Sequence, residues 1–542
     1  MTLSRRTVLS VVAVGAVLAV AVAATLFVMS RTSDGRARAA VEDYLADWSA
    51  GRYEQMAPVA GQPVEQFSAL YRASAEGLEQ SEAEYSLESV RTGSTPQATY
   101  RARIAFREGY PEWTYTGTLP LVERDGDWGV AWEPAAQHPA LQAGQHLALV
   151  DQEQTVGHVL DREGRRIDTA DRQLAQTVVG RAPDERSGSG AGPAALHVRF
   201  AQQLDGRSPA AVSVVDAAGE PVEPLTDLPG VPGTDLTTTV DLDLQQAAET
   251  VASGAGKPAS IVLLDRETGE IRAAAGNAAA GPRPALTGRF PPGSTFKIVT
   301  LTAALQNGST LDSRVDCPPT ITVDGVTFRN AEDEAFGSID LRTAFAKSCN
   351  TAFVNLAQSL PEGALTDAAA FYGCTMLEGG AETPETLPIP TFTCNFPPVE
   401  GVEYAAAAFG QAQVETSPLG MASVVAAAST GEWRPPRILT PDGPEQPSAE
   451  PRSLPGEVTT ALREAMAAVV SSGTATTISG SGVAGKTGTA EFGTETPPRA
   501  HAWFTGYLGD YAVAVLVQDG GFGGEVAAPL AARVLQQAQA AG

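Results

Sequence analysis

Pro291-Pro292-Gly293-Ser294-Thr295-Phe296-Lys297 carries a serine out of a Pro/Gly turn and into an apolar run that begins at Ile298. The turn residues and the apolar run after them read as a helix start, which places Ser294 in the first turn and Lys297 three residues on, on the same face. A hydroxyl and an amine then meet. Serine is a weak nucleophile until a base removes its proton, and a lysine desolvated among apolar neighbours can be neutral enough to act as that base. The partial positive charge of a helix N-terminus favours the developing alkoxide. Taken alone, Ser-x-x-Lys is a common pattern, equally well read as an N-capping serine and a surface lysine.

Two further stretches change the odds. Lys347-Ser348-Cys349-Asn350 closes a helical segment, where Ser348 could pass a proton to a leaving amine and the Asn350 amide could hold a substrate backbone group. By itself Ser-x-Asn is usually a turn. Val483-Ala484-Gly485-Lys486-Thr487-Gly488-Thr489-Ala490 reads as a strand interrupted by glycines, which commonly mark close approach by another backbone. A peptide could lie along such an edge as an added strand, with Lys486 and the Thr487 and Thr489 hydroxyls meeting its terminal carboxylate. The chain has only four lysines, Lys257, Lys297, Lys347 and Lys486, and three of them fall in these stretches. Lysine differs from arginine in that its pKa can be lowered enough to make a base.

Around these motifs, residues 235–542 read as one α/β unit. A helix near Leu242, strands from Ser260 and Ile271, helices from Ser294, Leu341 and Pro418, strands at Gly485, His501 and Tyr511, and a final helix from Ala528 place sheet strands at both ends of the segment. Ser417 caps the Pro418 helix, with proline at its first position. Upstream, 141–234 is an irregular β-rich stretch, with short strands around Val159 and Val212 and a low-complexity run Ser187-Gly188-Ser189-Gly190. Residues 37–140 are helical at first, with stripes Val41, Tyr44, Leu45, Trp48 and Phe67, Leu70, Tyr71. The period then changes to two through Tyr100, Ala102, Ile104 and Phe106, with a hairpin signal at Asp125-Gly126. That unit is a small α+β domain whose aromatics recur at core spacing.

Residues 8–29 are an apolar run that as a helix would span ~33 Å, enough to cross a bilayer. Arg5 and Arg6 ahead of it leave the tail in the cytoplasm and everything after about residue 30 outside, anchored in the plasma membrane by a single pass. Small-residue steps at Ala19 to Ala23 leave a cleaved signal peptide as the alternative, and Arg5-Arg6 leaves the export route open. Four cysteines, Cys317, Cys349, Cys374 and Cys394, are compatible with two disulfides in three pairings or with four buried thiols; spacing suggests Cys317 with Cys349 and Cys374 with Cys394. The net charge of −26 repels phosphate backbones, so nucleic acid is not a partner. The five histidines are scattered and no Cys-x-x-Cys occurs, so neither a metal nor any other cofactor is expected.

In this order, the three motifs carry a resemblance. Residues 241–537 resemble the transpeptidase domain of class B penicillin-binding proteins, including Thr239-Val240-Asp241-Leu242-Asp243-Leu244-Gln245, Ala408-Phe409-Gly410-Gln411 and Gly473-Thr474-Ala475. Leu160-Asp161-Arg162-Glu163-Gly164 is similar to the family's pedestal motif, of the dimerisation type, although Val156 stands where an arginine is common. Residues 37–140 look like the cone-shaped, nuclear-transport-factor-like domain of one subgroup. The resemblance implies a multidomain α/β and α+β chain: membrane helix, cone domain, pedestal, and a transpeptidase fold with an antiparallel sheet between helices. It implies Ser294 as acylated nucleophile, Lys297 as base and Ser348 as proton relay. Asn350, Lys486, Thr487, Gly488 and Thr489 would bind substrate, with an oxyanion hole at the Ser294 and Thr489 N–H groups. The implied donor is a peptidoglycan stem peptide ending in D-Ala-D-Ala, β-lactams would acylate the same serine, and sugar polymerisation would belong to a separate glycosyltransferase. Glu332-Asp333-Glu334-Ala335-Phe336 superficially matches a glycosyltransferase signature but lies inside the acyl-transferase unit. A D,D-carboxypeptidase or a β-lactam-hydrolysing enzyme, with water as acceptor, is the alternative.

Overall fold

The computed structural model of the protein describes residues 33–107, 109–167, 196–280, 284–374, 387–446, 449–493 and 498–541. The apolar run 8–29 and the Ser187–Gly190 stretch lie outside them. Among the described residues no helix is long and apolar enough to cross a membrane. The chain divides into two compact units, one holding the described residues up to Thr155 together with Gly206–Pro232, the other those of Val156–Asp205 and from Gly233 onward.

In the first unit, helices Ser33–Ser49, Tyr53–Ala60 and Val64–Gly77 precede a four-stranded antiparallel sheet made of Gln80–Arg91, Gln97–Phe106, Trp113–Arg124 and Asp127–Val130 in sequence order. The helical stripe buries Val41, Tyr44, Leu45 and Trp48, while on the second stripe Phe67 and Tyr71 are buried and Leu70 is half-buried. Along the second strand Ala98, Tyr100, Ala102, Ile104 and Phe106 turn inward, the period of two that a half-buried strand requires. Trp48 stacks on Tyr85 with ring centroids 3.8 Å apart. Burial of these aromatics is tolerable because their polar tips pair: Tyr44 and Tyr71 hydroxyls lie 2.7 Å apart, and Trp132 Nε1 donates to Tyr71. Asp125 and Gly126 both have positive φ, the tight hairpin turn their sequence signals.

The stretch 141–234 contributes to both units. Strands His146–Asp151, Ala210–Val215 and Pro221–Leu228 form a sheet whose Leu147, Ala210, Val212, Val214 and Leu228 join the first unit's core. Val159–Leu160 instead pairs in parallel with Leu236–Thr237 in the second unit. There the buried Asp161 accepts from the N–H groups of Glu163 and Arg165 and from Arg165 Nε. Arg165 thus pairs with this carboxylate.

The second unit is built on a five-stranded antiparallel sheet in the order Ile271–Gly276, Ala259–Asp265, Tyr511–Val517, Arg499–Leu508, Ala484–Phe492. Every residue of Tyr511–Val517 is buried, so both faces of the sheet are covered. Helices Leu242–Ser253 and Ala527–Ala541 pack together against it, as do Pro418–Thr430 and Gly456–Ser471. Ser417 caps its helix by accepting from Gly420 N–H at 3.1 Å. Glu332-Asp333-Glu334 is an exposed turn of this same unit. Cys317 is bonded to Cys349, and Cys374 to Cys394.

Candidate active site

The serine sits on an elbow whose shape is dictated by glycine. Gly293 has φ +53, and its N–H donates to the carbonyl of Gly410, itself at φ +75. A side chain at Gly410 would place its Cβ 2.1 Å from Gly293 O, so neither backbone could approach the other with a bulkier residue in that position. Residues Gly293–Phe296 form a single 3₁₀ turn and the α-helix begins only at Lys297, running to Gln306. Side chains three apart eclipse in a 3₁₀ turn, which brings Ser294 and Lys297 into line more closely than the expected α-helical start would. Thr295 Oγ1 donates to Pro292 O at 2.8 Å and Trp503 Nε1 to Pro291 O at 3.1 Å, fixing the elbow to the sheet.

Lys297 Nζ is the hub of the site. It lies 2.6 Å from Ser348 O, 2.7 Å from Asn350 Oδ1, 3.1 Å from Ser294 Oγ and 3.2 Å from Ser348 Oγ. The residue is wholly buried, with the amine 5.3 Å from the centre of the Phe353 ring and 6.0 Å from that of Phe409. Burial, and secondarily the charge of Lys486, holds its pKa well below the ordinary lysine value.

The second motif is a reversal between two helices, Leu341–Ala346 and Asn350–Gln358. Ser348 turns the chain with φ +60, a conformation that a side chain disfavours. Cys349, tied to Cys317, caps the second helix by accepting from Ala352 N–H. The Asn350 amide is oriented from both sides, its oxygen toward Lys297 and its nitrogen donating to Arg329 O at 3.1 Å. Asn330, nearly fully buried, braces this reversal from beneath by accepting from Thr351 N–H and donating to Pro318 O and Glu334 O.

The third motif forms the edge strand Ala484–Phe492. A Cβ at Gly488 would lie 2.9 Å from each of Pro292 O, Thr295 Cγ2 and Trp503 Cβ, so the backbone that approaches the strand there is the chain's own elbow. Lys486 is wholly buried, its amine 3.1 Å from Thr487 O and 5.6 Å from the Phe345 ring centre, and burial pushes its pKa down to about 7. Thr487 is buried, while Thr489 is half-buried with its hydroxyl accepting from Gly523 N–H at 3.5 Å. The structure therefore joins Ser294, Lys297, Ser348 and Asn350 by direct contacts and places the Lys486–Thr489 stretch against the elbow. It also brings in Phe409 and Gly410, from the 408–411 stretch that carries part of the resemblance, and residues that no such stretch names: Asn330 and the rings of Phe345 and Phe353.

A serine hydroxyl held beside a desolvated amine, next to an open strand edge, is the equipment of an acyl-transferring serine enzyme. Comparison with known proteins agrees. The penicillin-binding protein transpeptidase domain family matches residues 259–536, and the NTF2-like N-terminal transpeptidase domain family matches residues 36–145. Peptidoglycan D,D-transpeptidase PbpA of Mycolicibacterium smegmatis is 31% identical over 359 residues, an alignment spanning 55% of this chain and 71% of that protein. PbpA of Mycobacterium tuberculosis (strain CDC 1551 / Oshkosh) is 32% identical over 285 residues, spanning 47% of this chain and 56% of that one. A solved structure of penicillin-binding protein A from M. tuberculosis, a ceftriaxone acyl-enzyme complex, shares the fold with a TM-score of 0.57 at 23% identity, over 71% of this chain and 98% of that chain. The chain belongs to the penicillin-binding protein transpeptidases, of the class B kind that carries an NTF2-like N-terminal domain. It is a serine D,D-transpeptidase.

Proposed function

We propose that Ser294 attacks the carbonyl of the penultimate D-Ala of a peptidoglycan stem peptide, expels the terminal D-Ala, and passes the acyl group to an amine of a neighbouring strand. The observation that carries this reading is the arrangement around Lys297 Nζ. A neutral amine has two protons and one lone pair, and Ser348 O and Asn350 Oδ1 are acceptors without protons of their own, at 2.6 and 2.7 Å. They take both protons. The lone pair is left for a hydroxyl, and Ser294 Oγ stands 3.1 Å away.

In this reading Lys297 takes the serine proton as the acyl bond forms, and the Ser348 hydroxyl, 3.2 Å from the same amine, returns it to the departing D-Ala nitrogen. The Asn350 amide holds a donor backbone group. Lys486, Thr487, Gly488 and Thr489 line the carboxylate end of the donor, and the N–H groups of Ser294 and Thr489 stabilise the oxyanion, a contribution typically worth ~3 kcal/mol per donor. The acyl-enzyme is then resolved by the acceptor amine, and a β-lactam acylates the same oxygen. Both matched families are of transpeptidase type, so glycan polymerisation is assigned to a separate glycosyltransferase. The extracytoplasmic location is supported by two disulfides, bonds that persist outside a reducing cytoplasm, and the single-pass anchor at residues 8–29 by the length of that apolar run.

Two measurements test the reading. Ser294→Ala should abolish covalent labelling by a fluorescent penicillin while leaving the melting temperature in place; continued labelling would overturn the assignment. Incubation of the wild-type protein with a stem-peptide donor and an amine acceptor should give a cross-linked product by mass, whereas release of free acid alone would favour a carboxypeptidase.

A further inference from the structure

We propose that Thr474 is a positioning residue for the donor carboxylate, acting by aiming the hydroxyl of Thr487; the inference rests on the reading of the Lys486–Thr489 edge as the carboxylate site. Thr474 Oγ1 lies 2.5 Å from Thr487 Oγ1. The backbone that carries it is clamped on two sides. Thr474 N–H donates to Ala346 O at 3.1 Å, two residues ahead of Ser348, and a Cβ on Gly473 would approach the same oxygen to 2.3 Å. On the other side a Cβ on Gly524 would come within 2.0 Å of Thr474 O. One residue therefore spans the second motif, the third motif and the glycine-rich turn that follows the central strand. Its side chain is exposed and fills no core space, so packing does not account for a hydroxyl held this close to Thr487.

Hydroxyl arithmetic gives the role. Thr487 Oγ1 has one proton and two lone pairs. Lys486 Nζ, 3.4 Å away, engages one lone pair. If Thr474 donates to the other, the only unengaged feature of Thr487 is its own proton, directed into the open site. The opposite polarity would turn that proton toward Thr474 and present a lone pair to the substrate. An incoming carboxylate selects the first arrangement, and Thr474 is what makes it available.

The test compares the wild-type protein with Thr474→Val, which keeps the shape and loses the hydroxyl, and Thr474→Ser, which keeps the hydroxyl. Each is given a thioester donor analogue ending in a free carboxylate and the same analogue ending in a carboxamide. For the carboxylate donor, Thr474→Val should lower kcat/KM by about tenfold, the scale of one hydrogen bond to a charged partner, and Thr474→Ser should restore it. For the carboxamide the change should be far smaller, and melting temperatures should match. Equal losses on both donors, no loss on either, or failure of Thr474→Ser to recover would overturn the role of Thr474 and leave the carboxylate site standing. A wild-type enzyme that does not prefer the carboxylate donor would overturn the carboxylate site itself, and this inference with it.

Discussion

Opening the Cys317–Cys349 bridge should slow acylation as well as destabilise the protein, whereas opening Cys374–Cys394 should mainly destabilise it. The bridges close loops of similar size, with sequence separations of 32 and 20. Loop entropy alone assigns them about 3.7 and about 3.3 kcal/mol, nearly equal contributions. Their surroundings differ. Cys349 lies between Ser348 and Asn350, whose carbonyl and amide oxygens accept from Lys297 Nζ, and Ser348 has a positive φ, a conformation that costs roughly 1–2 kcal/mol. Cys394 reaches the elbow indirectly, by pairing with Thr416, which bonds the backbone of Phe290 ahead of the elbow, and through the stacking of Phe396 on Phe296. A displacement of about 1 Å at reacting groups can cost roughly a hundredfold in rate. The comparison is C317A/C349S, in which serine preserves the helix cap, against C374A/C394A. Second-order acylation by a fluorescent penicillin is measured well below both melting transitions. The first variant should acylate one to two orders of magnitude more slowly than the second at a similar loss of stability. Acylation rates that track the melting temperatures alone, or that stay at wild type in both, would refute the reasoning.

The pH profile follows from two depressed amines. In the proposed mechanism Lys297 acts when neutral, so activity should be lost as pH falls through its lowered pKa, and Lys486 holds a carboxylate when charged, so kcat/KM should fall as pH rises through about 7. A bound carboxylate favours the ammonium form of Lys486, so the falling limb of kcat should sit at higher pH than that of kcat/KM. Coincident limbs would remove Lys486 from the carboxylate site. Separately, Gly410→Ala puts a Cβ 2.1 Å from Gly293 O at a backbone φ of +75. Left-handed strain and overpacking together should destabilise by about 3 kcal/mol, read as a fall in melting temperature with reduced penicillin labelling.

Much of the second unit is legible in the chain because its signals are local. Ser417-Pro418 writes a helix start, the three short motifs fall on a turn, a reversal and a strand, and Gly488 announces a close approach. What the sequence leaves unstated is the identity of the approaching backbone, since the contact of Gly488 with Pro292 and Thr295 joins segments almost 200 residues apart. The 141–234 stretch is harder for the same reason. Its strands are short, and whether Val159 and Val212 share a core depends on pairings with Leu236 and with Leu149, which periodicity does not encode. The 3₁₀ turn at Ser294 is likewise only partly legible, because the Gly293 that opens it at positive φ is bonded to Gly410, far along the chain.

The buried amine of Lys297 shows where local reading stops. A lysine in Ser-x-x-Lys is an ordinary ammonium unless the fold takes its water away, and here three rings from separate helices and loops do so: Phe353 and Phe409 beside Lys297, Phe345 beside Lys486. None of the three lies in the serine, Ser-x-Asn or Lys-Thr-Gly motif, and only Phe409 falls in another stretch that carries the resemblance. The charge of the second buried amine then disfavours a proton on the first. Arginine could not fill the Lys297 position, since its guanidinium stays charged under all relevant conditions. That is a physical reason for lysine at that position in a chain whose other cations are nearly all arginine. The environment makes the base, and the motif only states where a base can be made.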